Sequence, residues 1–327
     1  MEQVYSRGLY PLLSAPLIWI SSPIPFSLSE VALYLGGIGC MLAGIFTLVR
    51  LRRNHPSKRV ILGQALKTGA ALTSLVLTFF FWSWGFHYAR ETLETRHPEL
   101  SHIPTPAAWN RTRNLLVQEI HRWQPLYKPL SESEREKEID RSLKEVLRAY
   151  DSLTRVCTAP TKHPWSSWLL DALATSGVYS PFFAEVHVHS QLPRIALPFI
   201  TAHEKAHRAG YADEGEANFI AYLTCRHSQT ASLRYSGALM TYLSFARGPR
   251  FGHNKDPMTP LPIQARDDLR NILDWRNARR GALARIQGRV YDLYLRTLGV
   301  PGGIASYGRI ARYVTAHEST QPPCPTH

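Results

Sequence analysis

His203-Glu204-Lys205-Ala206-His207 closes a mostly apolar run that begins at Leu192, and Gly210 and the acidic Asp213, Glu214, Gly215 and Glu216 follow it. This stretch decides the fold. Residues four apart share one face of a helix, so the H-E-x-x-H pattern lets both imidazoles meet a single ion. Glu204 then sits beside that ion, where it can take a proton from water. Zinc catalysis needs three protein ligands, one open position and a nearby carboxylate base. Among 14 histidines the pentapeptide alone is a weak signal. The apolar flank, the helix stop at Gly210 and the carboxylates just beyond strengthen it. Two solvent-facing helices without metal are the bland alternative.

A tight turn at Gly210 would fold a second helix, about Glu214 to Arg226, back onto the first. Glu214, in its first turn, is the preferred third ligand. Glu216 is the main competitor, although about 100° per residue puts it on another face. Asp213 is a further candidate. Asn218, four residues past Glu214, is placed to hydrogen-bond the outer nitrogen of a ligand imidazole. Glu-x-x-x-Asn resembles the Glu-x-x-x-Asp pattern of thermolysin-like zinc peptidases, and the spacing to Asp213 resembles that of metzincins. Tyr222 reads as core.

Working outward, the 327 residues suit one large domain or two small ones. The apolar residues are unevenly spread. Val31 to Val49 and Gly69 to Phe86 are uncharged, each near the roughly 20 residues needed to cross a bilayer. Trp82, Trp84 and Tyr88 are expected to form an interfacial belt at the end of the second. Gly8 to Ser29 is also uncharged, but Pro11, Pro16, Pro23 and Pro25 interrupt it. It reads as interfacial or re-entrant, and it lacks the basic start of a signal peptide. Arg50, Arg52, Arg53, Lys58 and Arg59 crowd the loop between the spans with no acidic residue. The positive-inside rule puts that loop in the cytoplasm and the zinc motif outside it.

A net charge of +13 invites a nucleic-acid partner, but none is expected. Part of the excess sets topology, and much of the rest lies in Arg266 to Arg296. That segment carries Leu269, Ile272, Leu273, Leu283, Ile286, Val290 and Leu293 at near-helical spacing. A long amphipathic helix with an arginine-rich outer face is the plainer reading, and contact with anionic lipid the sharper one. A disulfide between Cys157 and Cys225 is chemically allowed outside the cytoplasm. Two free thiols fit equally well.

Ahead of the motif, His97 to Trp109 is broken by prolines, Trp109 to Trp123 looks helical, and Ser131 to Glu134 resembles a capping box before another amphipathic helix. Glu185-Val186-His187-Val188-His189 alternates like a half-exposed strand. An extended peptide could pair with such an edge. Its His187 and His189 share a face; substrate or metal contact is the sharper reading and exposed edge polarity the plainer one.

The order of short motifs resembles a bacterial membrane family called domain of unknown function 3810. The similar stretches are Tyr5-Ser6-Arg7-Gly8-Leu9-Tyr10-Pro11, Pro25-Phe26-Ser27, Trp84-Gly85-Phe86-His87-Tyr88-Ala89-Arg90 and Pro181-Phe182-Phe183-Ala184-Glu185. They continue through Leu197-Pro198-Phe199, His203 to Gly210, Glu214 to Phe219, Tyr291-Asp292 and Ser306-Tyr307-Gly308. Members carry a further hydrophobic segment before the first motif, so a shortened start or an absent span is expected here. Phe183-Ala184 and His187 depart from the small or polar residues expected there, which suggests a different substrate preference.

The resemblance implies a membrane-anchored, gluzincin-like zinc metallopeptidase. His203, His207 and Glu214 would bind zinc, Glu204 would be the base, and Tyr307 or His187 would be a second electrophile. The alternatives are a zinc-binding receptor or scaffold without hydrolysis, and a cationic lipid- or nucleic-acid-binding protein with an accidental motif. Expected partners are membrane lipids and a peptide or protein substrate. The expected place is a bacterial inner or plasma membrane.

The expected fold is mainly α: two N-terminal transmembrane helices followed by an α-rich zincin-like domain with a short edge strand. Residues 1–30 would be the interfacial or re-entrant segment and 31–90 the two spans with their basic loop. Residues 91–165 would be a helical linker region, 166–317 the catalytic domain and 318–327 a flexible tail.

Overall fold

A computed structural model describes residues 2–53, 57–151, 158–247, 258–297 and 309–320. They are mainly helical, with one two-stranded sheet. The chain opens with a π-helical stretch, Glu2–Leu9, that runs into α1 (Tyr10–Ser21). Pro11 sits at the second position of α1, just where the π-helical stretch gives way to α-helix.

Two long helices follow, α2 (Leu28–Arg52) and α3 (Lys58–Ser83), both long and apolar enough to cross a membrane. Their surfaces are almost wholly exposed, with Leu35, Phe46, Leu66 and Leu75 facing outward. An apolar exterior of this size is at home in lipid rather than water. Ser27 caps α2 by accepting a hydrogen bond from the Glu30 amide. The second helix starts at Lys58, well before the uncharged run at Gly69. It stops at Ser83, and Trp84, at the cap, turns into a 3-10 segment, Gly85–Ala89. Trp84 is therefore buried, not part of an interfacial belt, while Trp82 is exposed.

The remaining elements are α4 (Leu93–Arg96), α5 (Pro106–Trp123), α6 (Glu132–Asp151), α7 (Ser167–Ala172), β1 (Gly177–Ser180), β2 (Glu185–Val188), α8 (Leu197–Arg208), α9 (Glu214–Arg226), α10 (Ala231–Arg247), α11 (Ile263–Ala278), α12 (Ala282–Thr297) and α13 (Arg309–Thr320). Ser131 and Glu134 form the reciprocal capping box at the start of α6. At the centre, α9 packs against α8, α10, α6 and α13.

The expected linker, residues 91–165, is part of the packed body over its described residues 91–151. Leu93, Leu100, Leu116, Ile120, Ile139, Leu143, Val146 and Leu147 share one core with residues of α8, α9, α10, α11 and α13. The tail does not start at 318. Glu318 accepts from Tyr222 at 2.9 Å and pairs with Arg226 at 3.0 Å. Cys225 is a buried free thiol; Cys157 lies outside the described residues.

The N-terminal segment docks on this body. Tyr5 donates to the Trp82 carbonyl at 2.7 Å, and Tyr10 donates to the Arg208 carbonyl at 2.7 Å. Tyr5, Tyr10, Trp84, Tyr179 and Val186 belong to a second apolar cluster, with Phe80 of α3 packed against it. Sequence patterning could not show this, because the proline-rich run pairs with residues more than 70 positions away.

β1 and β2 are antiparallel, with Val178 opposite His187 and Ser180 opposite Glu185. The expected half-exposed strand is buried along its whole length. Lys162 occupies its other edge, donating from its amide to the Val186 carbonyl and accepting from the Val188 amide. Glu185 and His187 meet the start of α2 instead of solvent. Glu185 accepts from the amides of Leu28 and Ser29 and from Lys162 Nζ, and Ser27 Oγ lies 2.8 Å from His187 Nε2. Burial alone would raise the Glu185 pKa, but His187, Lys162 and Ser29 hold it well below the usual carboxylate range. Its carboxylate also faces a helix N-terminus, which favours negative charge. His189 is fully buried against Asp171 and the Trp275 ring. Glu185, His187 and His189 therefore anchor structure rather than line a substrate edge.

The expected single helix over 266–296 breaks at Arg279, Arg280 and Gly281. Arg279 is pinned by Asp171 and Gln191 and lies 4.1 Å from the Trp275 ring centre. Leu269 and Ile272 of α11 enter the core, whereas Leu283, Ile286, Val290 and Leu293 of α12 stay exposed.

Candidate metal centre

The core is built around the turn that joins α8 to α9. His203 and His207 project from one face of α8, four residues apart. Gly210 turns the chain with φ +95°, a conformation other residues adopt only with strain. A Cβ there would stand 2.7 Å from His87 Cε1. Asp213 caps α9, accepting from the amides of Gly215 and Glu216, so Glu214 enters its first turn.

His203 Nε2 lies 3.1 Å from His207 Nε2 and 3.2 Å from Glu214 Oε2, and His207 Nε2 lies 3.5 Å from Glu214 Oε2. These three side chains are the group among the described residues whose ligand atoms gather closely enough to hold a metal ion. Tetrahedral ligands about 2.0–2.1 Å from zinc are separated from one another by about 3.4 Å. The triangle fits that spacing. All three residues are buried.

The competitors for the third position point elsewhere. Glu216 accepts from the Leu93 amide at 2.7 Å, and burial pushes its pKa up to about 7. Asp213 is used by its cap and by Arg309. Asn218 does not reach an imidazole; it donates to the Glu214 backbone carbonyl at 2.7 Å. The outer nitrogen of His207 instead lies 2.6 Å from the Tyr211 carbonyl. A main-chain oxygen thus does the work the sequence assigns to the Asn218 side chain. The outer nitrogen of His203 is buried without a hydrogen-bond partner among the described residues.

Electrostatics follow the geometry. Burial alone would raise the Glu214 pKa, yet the two imidazoles hold it well below the usual carboxylate range. Burial lowers the His207 pKa, but the Glu214 carboxylate outweighs it and lifts the ring to about 9. Burial raises the Glu204 pKa, and His203 and His207 only partly offset this. A buried carboxylate with a raised pKa suits proton transfer near neutral pH.

Three features around the cluster come from parts of the chain whose sequence does not place them there. Trp84 meets the His207 ring edge-on at 6.1 Å and the Tyr179 ring at 4.9 Å. Gly177 of β1 lies so close to Glu204 that a Cβ would stand 2.8 Å from its Cγ and Oε1. Behind His207, Tyr211 donates to Asp151 at 2.6 Å. Arg90 joins Glu2, Asp151 and the Gly210 carbonyl and lies 4.7 Å from the Tyr211 ring centre. Arg7 and Arg96 also reach Asp151. This buried network fixes the turn whose carbonyl orients His207.

A family model described as Protein of unknown function (DUF3810) matches residues 5–315. The chain belongs to that family. No curated protein and no solved structure matches the chain. For this DUF3810 member the motifs with Arg7, Tyr10, Trp84, His87 and Arg90, far apart in sequence, converge on the α8–α9 turn. His187 pairs with Val178 of β1, one residue along from Gly177, and its ring is held by Ser27 and Glu185. Tyr307 lies outside the described residues.

Proposed function

We propose that this protein is a membrane-anchored zinc metallopeptidase of zincin-like design. The convergence of His203, His207 and Glu214 within 3.5 Å of one another, with Glu204 buried alongside, carries the reading. Bound zinc would act as a Lewis acid toward a peptide carbonyl and lower the pKa of water. Glu204 accepts a proton from the attacking water and returns it to the departing amine. Tyr211 keeps His207 oriented through its carbonyl, and Trp84 and Tyr179 shield that side from solvent.

Among the described residues the outer edge of β1 has no strand partner, and this edge is the place for an extended substrate. Lys162 draws the backbone groups of Val186 and Val188 to its side of β2, and the His189 amide bonds the Ser176 carbonyl on the other. By antiparallel alternation, Val178 and Ser180 exchange hydrogen bonds with β2. Gly177 and Tyr179 therefore turn their N–H and C=O groups outward, beside Glu204. In this reading β1, rather than the expected residues 185–189, is the substrate strand. A Gly177→Ala variant is expected to push Glu204 aside while leaving the ligands alone. Cleavage of quenched fluorogenic peptides should fall on the order of 10²-fold, the scale of a misplaced reacting group, with zinc content unchanged. Wild-type activity would remove Gly177 from this role.

The site lies close to the bilayer. From Gly177 to Ser180 is about 10 Å of strand, and Ser180 Oγ meets Ser29 Oγ at 2.7 Å where α2 starts. With the basic α2–α3 loop in the cytoplasm, the site faces the periplasm or cell exterior and acts on polypeptides at the membrane surface. A C-terminal tag should be digested by protease added to spheroplasts. Full protection of the tag would invert this topology.

A further inference from the structure

We infer that α12 lies on the bilayer as an amphipathic surface helix with an arginine flank for anionic headgroups, a role separate from the metal centre. Leu283, Ile286, Val290 and Leu293 are 48 to 65% exposed. At about 100° per residue they form one stripe about 80° wide. Arg285 and Arg289, both exposed, run along one border of that stripe, and exposed Arg280 precedes the helix. An arginine there can keep its stem on the apolar surface while its guanidinium reaches phosphate. A helix with one apolar face and basic flanks is the form that settles at a headgroup boundary.

The fold brings the start of α12 to membrane level. Glu30, in the first turn of α2, accepts from the amides of Trp165 at 2.8 Å and Ser166 at 2.5 Å. α7 begins at the next residue, with Trp165 and Trp168 at 70 and 64% exposure. Such exposed tryptophans favour the membrane interface. Asp171, near the far end of α7, holds Arg279, three residues before α12. A chain of direct contacts therefore links the start of the membrane helix α2 to the start of α12. Lipid is the occupant that suits both the apolar stripe and its cationic border; a second copy of the chain would bring the same positive charge to meet it.

The test uses the full chain with its four native cysteines replaced and one new cysteine, Val290→Cys or Gly288→Cys, labelled with nitrobenzoxadiazole. The protein is reconstituted in phosphatidylcholine vesicles with or without phosphatidylglycerol. A nitroxide on the lipid chain should quench the label at 290 several-fold more than the label at 288, which lies on the opposite face. Phosphatidylglycerol should deepen that quenching, and Arg285→Glu with Arg289→Glu should cancel the gain. Quenching at 290 by aqueous iodide, equal to that at 288, would overturn the inference. Protection from both quenchers would overturn it too, by placing protein rather than lipid on the stripe. An effect indifferent to phosphatidylglycerol and to charge reversal would remove the anionic preference.

Discussion

Glu204→Gln is expected to keep one zinc per chain and to lower kcat/KM on a quenched peptide library by about 10²–10⁴-fold, the usual range for a general base. The substitution removes the proton acceptor but preserves size, and Glu204 is not one of the three converging side chains. The loss should fall on kcat rather than KM, because proton transfer belongs to the chemical step. Joint loss of zinc and activity would mean that Glu204 supports the metal instead. Unchanged activity would remove it from the reaction.

The second large effect is on stability. Arg90 is buried and joins Glu2 at 2.7 Å, Asp151 at 2.6 Å and the Gly210 carbonyl at 3.1 Å. Arg90→Met keeps much of the volume but leaves two buried carboxylates short of a cation. Breaking a buried pair from one side costs about 3–5 kcal/mol. The same variant frees the Gly210–Tyr211 turn, so zinc affinity should fall about 10–100-fold, as when the partner of a ligand imidazole is lost. Chemical denaturation in detergent and a chelator competition read the two effects separately. A change below about 1 kcal/mol, with affinity intact, would show that Arg7 and Arg96 suffice.

What the sequence made readable was local. Two histidines four apart, a glycine stop and a carboxylate in the next first turn fix one another within a dozen residues. The structure begins α9 at Glu214 and ends it at Arg226, as expected. The capping box at Ser131 and the two apolar spans are local in the same sense. What stayed hidden depends on distant partners. β2 reads as half exposed, because its alternation cannot reveal that Ser27, Ser29 and Lys162 cover it. Trp84 reads as a belt residue until the helix is seen to stop at Ser83. The Tyr211 carbonyl that orients His207 is a main-chain atom, and no residue type signals it. The break at Arg279 follows from Asp171, more than 100 positions earlier. The resemblance to DUF3810 reached some of this ground without explaining it. The motifs around Arg7 and Arg90 are those that brace the α8–α9 turn.

The most direct measurement is the metal content of the purified full-length protein, by mass spectrometry, beside His203→Ala and Glu214→Gln prepared identically. The account predicts one zinc per wild-type chain and a large loss in both variants. Wild-type protein that binds no zinc on titration, or variants that hold it as tightly, would contradict it.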